Sequence, residues 1–204
     1  MLYYVIPTTK EYAATSLPIL LKSLEGTKNK ILIAHCNSDK EQKHVEGNIT
    51  YYYVPWNAYE YSAPLIALEH LGAGDHIFWF HDTTRCGGGF DKIVNNTNYK
   101  DYDVVEIPKN KCNIGIYSVQ FLLNNKSFLE RTKEFTKQEA IEWGGHLSHI
   151  AVNKTCFPDT SCVRIGIQDV YGTGNKRLVE YYDGLDLFKY KLNWRHQNSY
   201  SEVV

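Results

Sequence analysis

The polar run His-Asp-Thr-Thr-Arg at residues 81–85 holds the side chains best suited to chemistry, and it directly follows the apolar run Ile-Phe-Trp-Phe at 77–80. A short apolar run of this kind is typical of a strand that is buried on both faces of a parallel sheet. Open α/β sheets bind ligands at the carboxyl ends of their strands. Asp82 is therefore expected at a ligand-binding edge, where its carboxylate could meet a divalent metal or a sugar nucleotide.

Polar residues also follow two earlier predicted strands. The strand at 2–6 ends in Pro7-Thr8-Thr9, and the strand at 30–35 ends in the turn Cys36-Asn37-Ser38-Asp39. Parallel strands present their carboxyl ends at one edge of the sheet, so these two turns and the run after strand 75–81 should converge on one crevice. The sequence thus predicts a single ligand site that is built from three strand ends.

Hydrophobic periodicity supplies the elements that would position these turns. Further strands are predicted at 48–54, 103–107, 113–117 and 161–167, and helices at about 16–24, 61–71 and, in two pieces broken near 144–145, 121–150. Apolar strands that alternate with helices indicate an α/β fold, with a mostly parallel, Rossmann-like central sheet flanked by helices. The 204 residues fit a single domain whose half beyond residue 110 is less regular than the first.

Composition and charge argue against several classes of protein. The net charge is −1 and no block of five like charges occurs, whereas nucleic-acid-binding proteins carry a basic face. No apolar run reaches 18 residues, so we expect no membrane span. Met1 is followed by no basic segment or small-residue cleavage site, which predicts a soluble, cytoplasmic protein. The five cysteines form no C-x-x-C pair, so we expect free thiols, with a Cys156–Cys162 bridge as the alternative.

Several catalytic signatures are absent from the sequence. The turn after the first strand lacks the glycines of a dinucleotide fingerprint, and no Walker loop, G-x-S-x-G elbow or H-E-x-x-H motif occurs. Cys36 follows a strand, as in a cysteine phosphatase loop, but Gln42 stands where that loop has its arginine. The glycines at 87–89 are interpreted as a flexible loop, or as a place where the backbone approaches a phosphate.

The layout of strand ends over residues 2–125 resembles the nucleotide-sugar-binding half of a GT-A type glycosyltransferase. The acidic motif of that family has two carboxylates, and this sequence offers one, Asp82. The resemblance implies a single domain over 1–204, with a nucleotide-sugar-binding half at about 1–110 and an acceptor-side half at about 111–204. It implies that the nucleotide sugar is bound by Pro7, Thr8, Asn37, Asp39, Ser62, His81, Asp82, Thr83 and Arg85.

Transfer of a sugar from a nucleoside diphosphate leaves negative charge on the leaving group, which needs a metal or fixed cations. Asp82 is the candidate anchor for Mn²⁺ or Mg²⁺, His196 is the candidate second ligand, and Arg85 is the substitute if no metal is used. An inverting enzyme also needs a general base. Glu142 and His146, four residues apart on one helical face, are the candidate catalytic residues, provided that the helix continues through the glycines between them.

The sequence therefore predicts a glycosyltransferase that moves a sugar from a nucleoside-diphosphate sugar to a glycan, glycoconjugate or other hydroxyl acceptor. Two alternatives stay open. A degenerate transferase could bind glycans or a partner without catalysis, which would agree with the lone carboxylate. A sugar-phosphate nucleotidyltransferase uses a similar sheet, but it needs a glycine-rich first turn where this chain has Thr8-Thr9. We expect neither nucleic-acid partners nor a membrane span.

Overall fold

The computed structural model describes residues 1–107, 113–172, 174 and 176–191, and these form an α/β fold with two sheets. The strands are β1 (Leu2–Thr9), β2 (Lys30–Cys36), β3 (Gln42–Glu46), β4 (Ile49–Tyr53), β5 (His76–Trp79), β6 (Thr84–Cys86), β7 (Val104–Glu106), β8 (Gly115–Ser118), β9 (Lys154–Cys156), β10 (Cys162–Gln168), β11 (Arg177–Tyr182) and β12 (Leu187–Lys191). The α-helices are α1 (Lys10–Ala13), α2 (Ser16–Ser23), α3 (Ser62–His70), α4 (Phe90–Asn96), α5 (Val119–Asn124), α6 (Lys126–Arg131), α7 (Lys137–Glu142) and α8 (His146–Ile150).

The main sheet has eight strands in the order β3-β4-β2-β1-β5-β8-β7-β9. Strands β4, β2, β1 and β5 pair in parallel, whereas β3 and β8 run antiparallel to their neighbours. The expected α/β class is confirmed, and the sheet is mixed. Strand β3 was not predicted from the sequence, because its residues, QKHVE, are mostly polar and all five are exposed. Its hairpin with β4 turns through Gly47, whose φ of 59° suits a tight hairpin turn.

The main sheet is covered on both faces, and β5 shows how. Consecutive residues of a strand point to opposite faces, so Phe78 and Trp79 enter different clusters of buried side chains. Phe78 packs edge-on against Phe90 of α4, with ring centroids 5.1 Å apart. Trp79 packs against Tyr61, which immediately precedes α3, with ring centroids 5.7 Å apart. Burial on both faces explains why this strand reads as a continuous apolar run.

A second, antiparallel sheet has the order β10-β11-β12-β6. Its edge strand β6 begins just after Asp82-Thr83, so the second sheet is attached directly to the polar run that follows β5. The glycines after β6 meet Asp186 closely: a Cβ on Gly87 would lie 1.9 Å from the Asp186 Oδ1, and the Gly89 N–H donates to Oδ2 at 2.7 Å. A side chain at position 87 would force Asp186 to move, so Gly87 permits this close packing, which is a different role from the flexible or phosphate-binding loop expected from the sequence.

The region expected to form two helical pieces over 121–150 consists of α5, α6, α7 and α8, with a 3-10 turn at Thr132–Glu134. The expected break near 144–145 is present, because Gly145 has a φ of 82°. Among the described residues, no helix is both long enough and apolar enough to span a membrane.

Candidate functional site

A pocket of about 380 Å³ lies at the carboxyl ends of β1 and β5. The chain passes from β1 outward to β2 and β4 on one side and then returns to β5 on the other side of β1. The gap between β1 and β5 is thus the topological switch point at which open α/β sheets bind ligands. We call this cavity the switch-point pocket. It is lined by Pro7, Thr8, Thr9, Glu11, Tyr12, Asn57, Tyr59, Glu60, His81, Asp82, Thr83 and Lys137.

Asp82 is half-buried and lines this pocket directly after β5. The Thr8 side chain and the backbone N–H groups of Asp82 and Thr83 favour the charged form of its carboxyl. Burial nevertheless raises the pKa of Asp82 to about 7, and the nearby Glu11 charge acts in the same direction. A cation beside this carboxyl would favour its charged form.

A second carboxylate, Glu60, lines the pocket from a 3-10 turn at Tyr59–Tyr61. Asn113 is fully buried and holds this carboxylate, since its Nδ2 donates to the Glu60 Oε1 at 2.7 Å. The Asn113 Oδ1 in turn accepts from the Gly145 N–H at 3.0 Å. Burial raises the pKa of Glu60, while the Lys189 charge and the Asn113 hydrogen bond lower it. Glu60 is thus a fixed carboxylate in a partly dry environment.

His81 lies beside Glu60, with 3.8 Å between the imidazole Nε2 and the Glu60 Oε2. Burial lowers the pKa of His81 well below its usual value, and the positive charges of Lys189 and Lys191 lower it further. The imidazole is therefore neutral near pH 7. Its Nε2 has no hydrogen-bond partner in the described part of the chain.

Two buried cations approach the pocket from the second sheet. Arg177, at the start of β11, is 7% exposed, and its charge acts on the pocket residue Tyr12 and lowers the pKa of that hydroxyl against the effect of burial. Its guanidinium lies 5.5 Å from the ring centre of Tyr171, and its Nε lacks a hydrogen-bond partner within the described ranges. Lys189, on β12, is 6% exposed and acts electrostatically on Glu60 and His81. Buried charges are costly unless they are compensated, so these two cations are suited to balance carboxylates or a bound anion.

Five of the nucleotide-sugar-binding residues expected from the sequence line the switch-point pocket: Pro7, Thr8, His81, Asp82 and Thr83. The other four lie elsewhere. Asn37 and Asp39 are exposed beyond β2, and Ser62 is fully buried, where its Oγ accepts from the Ala58 N–H at 3.1 Å. Arg85 is exposed on β6, with its guanidinium 4.4 Å from the ring centre of Phe188.

The expected catalytic pair, Glu142 and His146, does not share a helix. Glu142 ends α7 and is exposed, and its Oε1 accepts from the Gln138 Nε2 at 2.8 Å. His146 begins α8 and packs against Phe128, with ring centroids 4.6 Å apart. The left-handed Gly145 between the helices turns the chain, so the spacing of four residues does not give a common helical face. Neither side chain is among those lining the switch-point pocket, and His196 lies outside the described residues.

Sequence reasoning missed Glu60, Asn113, Arg177 and Lys189 as residues near the site. Glu60 precedes a helix and gives no local signal, because its role depends on a buried amide more than 50 positions away. Arg177 and Lys189 fall in the half of the sequence that looked irregular, and β11 and β12 were not predicted there. The alternation Leu-Phe-Lys-Tyr-Lys at 187–191 was the available strand signal.

A second pocket, of about 430 Å³, lies at the opposite edge of the main sheet, where β5 begins. We call it the amino-edge pocket. His76 lines it, is 8% exposed and packs edge-on against Tyr99, with ring centroids 4.9 Å apart. Two of its polar side chains bond to the local backbone: the Asn153 Nδ2 donates to the Asp101 carbonyl at 2.6 Å, and the Ser118 Oγ accepts from the N–H of Phe121 at 3.1 Å.

Within the residues that the structure describes, no group of three or more His, Cys, Asp or Glu side chains is arranged to hold a metal ion. Comparison with models of known protein families finds none that matches this chain, and comparison with curated proteins finds no match either.

Proposed function

We propose that this chain is a glycosyltransferase that takes a sugar from a nucleoside-diphosphate sugar and transfers it to a hydroxyl acceptor. The observation that supports this most directly is the switch-point pocket itself, which Asp82 after β5 and Thr8 near the end of β1 line together. This is the position at which open α/β sheets bind nucleotides. The parallel order β4-β2-β1-β5 and the resemblance to the GT-A type both support a nucleotide-sugar ligand.

The charges of the pocket bear on how a diphosphate would be bound. Three of the lining residues, Glu11, Glu60 and Asp82, are carboxylic acids, so a dianionic ligand needs compensating positive charge. Oxygen ligands such as the Asp82 carboxylate and the Thr8 and Thr83 hydroxyls fit Mg²⁺ or Mn²⁺, which often keep waters and bind through one carboxylate together with substrate phosphates. When bound, such an ion would neutralise charge that develops on the leaving diphosphate.

Two cations of the protein would also stabilise the negative charge of a bound diphosphate. Arg177 acts electrostatically on Tyr12 in the pocket wall. It is suited to pair with phosphate oxygens, because a guanidinium presents several donors in a fixed plane. Lys189 adds positive charge beside Glu60 and His81. These fixed charges need no reorganisation during the reaction, which makes their stabilisation of a developing anion effective.

A glycan-binding role without catalysis is the second candidate, and the pocket wall offers one observation in its favour. Tyr12 and Tyr59 line the pocket together with Glu11 and Glu60. Aromatic faces and carboxylates are groups that stack on sugar rings and accept hydrogen bonds from sugar hydroxyls. A free oligosaccharide could therefore bind there without a nucleotide.

Thermal unfolding in the presence of UDP, GDP and their sugars, each with and without Mn²⁺, tests the two candidates. A transferase should show a higher unfolding temperature with at least one nucleoside diphosphate or its sugar, because a ligand that binds only the folded state stabilises it. A rise with free oligosaccharides alone would favour the glycan-binding role. No rise with any of the nucleotides, confirmed by calorimetry, would contradict the transferase proposal.

A further inference from the structure

We propose that Glu60 is the catalytic base that removes the proton from the acceptor hydroxyl, an inference that rests on the proposed transfer reaction. The acceptor O–H proton passes to the Glu60 carboxylate while the acceptor oxygen bonds to the anomeric carbon. The bond between that carbon and the diphosphate oxygen breaks, and its electron pair leaves with the diphosphate. The sugar configuration is inverted in this single displacement. Glu60 lines the same pocket as Asp82, so base and donor site belong to one cavity.

The backbone around Glu60 is held in an unusual conformation that directs it to the pocket. Tyr59 has a φ of 54°, which is uncommon for any residue other than glycine. The Asn57 Oδ1 stabilises this turn by accepting from the Tyr59 N–H at 2.8 Å. Asn57, which precedes the short 3-10 turn, and Tyr59, its first residue, both line the pocket. Strained conformations of this kind persist where the surrounding structure fixes them, and they cluster at functional sites.

The side chain of Glu60 is fixed as well. Its Oε1 accepts from Asn113 at 2.7 Å, and Asn113 is fully buried and anchored by the Gly145 N–H at 3.0 Å. The other oxygen, Oε2, faces the pocket residue His81 at 3.8 Å. The hydrogen bond from Asn113 thus positions Oε1. Within the described part of the chain, no neutral donor lies at hydrogen-bond distance from Oε2. A base needs a carboxylate with one oxygen held and one oxygen available to accept a proton.

The electrostatic surroundings of Glu60 suit proton transfer. A catalytic base works best when its pKa lies near the working pH, and burial raises the pKa of Glu60 toward that range. His81 does not neutralise the carboxylate, since burial and the charges of Lys189 and Lys191 keep the imidazole unprotonated. Lys189 and Asn113 favour the ionised form of Glu60, so the carboxylate can be charged before the reaction. Glu142, by contrast, is exposed and bonded to Gln138.

The test uses the full chain with the sugar nucleotide that gives the largest thermal stabilisation, and it measures nucleotide release in the presence of a panel of oligosaccharide acceptors. Glu60→Gln keeps the size of the side chain and an oxygen for Asn113, so it removes the base while preserving the wall. We expect turnover to fall about 100-fold or more, with binding of the nucleoside diphosphate within about threefold of wild type. Glu69→Gln, on the neighbouring helix α3 and exposed, is the matched control and should retain turnover.

Asn113→Ala is the second variant. It tests whether Asn113 positions Glu60 for catalysis or only stabilises the fold. Losing the hydrogen bond to the ionised carboxylate should move the acid limb of the pH–rate profile to higher pH, because the charged form of Glu60 is no longer favoured. If Glu60→Gln fails to fold, Glu60→Asp replaces it; it should turn over at least tenfold more slowly and retain an acid limb.

The outcomes separate the two proposals. Turnover by Glu60→Gln within about threefold of wild type, or loss of turnover in Glu142→Gln alone, would overturn the role of Glu60 and leave the transferase intact. An unmoved acid limb in Asn113→Ala would also overturn it. A wild-type chain that neither binds nor turns over any nucleotide sugar would overturn the transferase itself, and the base assignment with it.

Discussion

Strand β5 runs between two pockets, and the same residue type stands at both of its ends. His76 opens the strand in the amino-edge pocket, and His81 follows the strand in the switch-point pocket. Burial is the main reason that both imidazoles have a lowered pKa, and both Nε2 atoms lack a hydrogen-bond partner in the described part of the chain. The two sites differ in what their other polar groups do.

In the amino-edge pocket the polar side chains support the fold. Ser118 caps α5, Asn153 bonds the backbone of Asp101, and the amino group of Met1, which also lines this pocket, donates to Asp75 at 2.8 Å. In the switch-point pocket, Asp82 and Glu60 come from separate elements and both line the cavity, and Glu60 is also held by Asn113. The arrangement of carboxylates makes the switch-point pocket the better candidate.

The largest expected effect is that of Asp82→Asn in the switch-point pocket. Loss of the carboxylate at the end of β5 should lower turnover about 100-fold or more, because this group is the proposed anchor for a cation at the diphosphate. The matched control is Asp103→Asn in the amino-edge pocket, which should retain turnover within about twofold. Steady-state kinetics with the stabilising sugar nucleotide would measure both. Equal losses of turnover in the two variants would contradict the assignment of the switch-point pocket, and not the amino-edge pocket, as the catalytic site.

A smaller effect is expected for Arg177→Gln. If the guanidinium pairs with phosphate oxygens, the affinity for UDP or GDP should fall about tenfold, equivalent to about 1.4 kcal/mol. Arg164→Gln, on the neighbouring strand β10 and exposed, should leave the affinity within about twofold. Isothermal titration calorimetry at two salt concentrations measures the difference. If Arg177→Gln leaves the affinity for UDP or GDP unchanged, Arg177 does not pair with the phosphates, and its role is to balance the negative charge of the pocket carboxylates.

Ser118→Ala should affect the stability of the protein without affecting its ligands. The variant removes the oxygen that accepts from the N–H of Phe121 at the start of α5, and loss of such a cap costs about 0.5–2 kcal/mol. Denaturant unfolding measures the stability, and calorimetry with UDP or GDP measures the binding. A change in nucleotide affinity without a change in stability would show that the amino-edge pocket takes part in binding.

A pH dependence of the unfolding temperature should also come from Asp82. Its carboxyl ionises near its ordinary pKa of 3.8 in the unfolded chain and at about 7 in the folded protein, so folding takes up a proton between these values. This contribution to stability is therefore full at low pH, declines as the pH rises toward 7, and levels off above it. Asp82→Asn should lack this decline. Calorimetric scans of both proteins from pH 5 to pH 8 would show whether their curves diverge as expected.

The sequence predicted those features of the structure that depend on residues close together in the chain. Continuous apolar runs predicted β1, β2 and β5 because strands buried on both faces need such residues, and their carboxyl ends supplied Thr8 and Asp82. It was uninformative where a role depends on distant partners. Glu60 acquires its setting from Asn113, and Arg177 reaches Tyr12 from the last strands of the chain. The pair Glu142 and His146 has a helical spacing, yet a left-handed glycine separates its members.

The contact between Asp186 and the glycines after β6 has a consequence for fragments of this chain. Asp186 also accepts from the Tyr181 hydroxyl at 3.1 Å. The short turn between β11 and β12, which contains Asp186, therefore connects the second sheet to the segment that carries Asp82. A recombinant piece ending at residue 125 would keep the parallel strands β4, β2, β1 and β5 but leave β6 without β12, its neighbour in the second sheet. Such a truncation would be a poor substitute for the full chain in ligand screens, however well it were expressed.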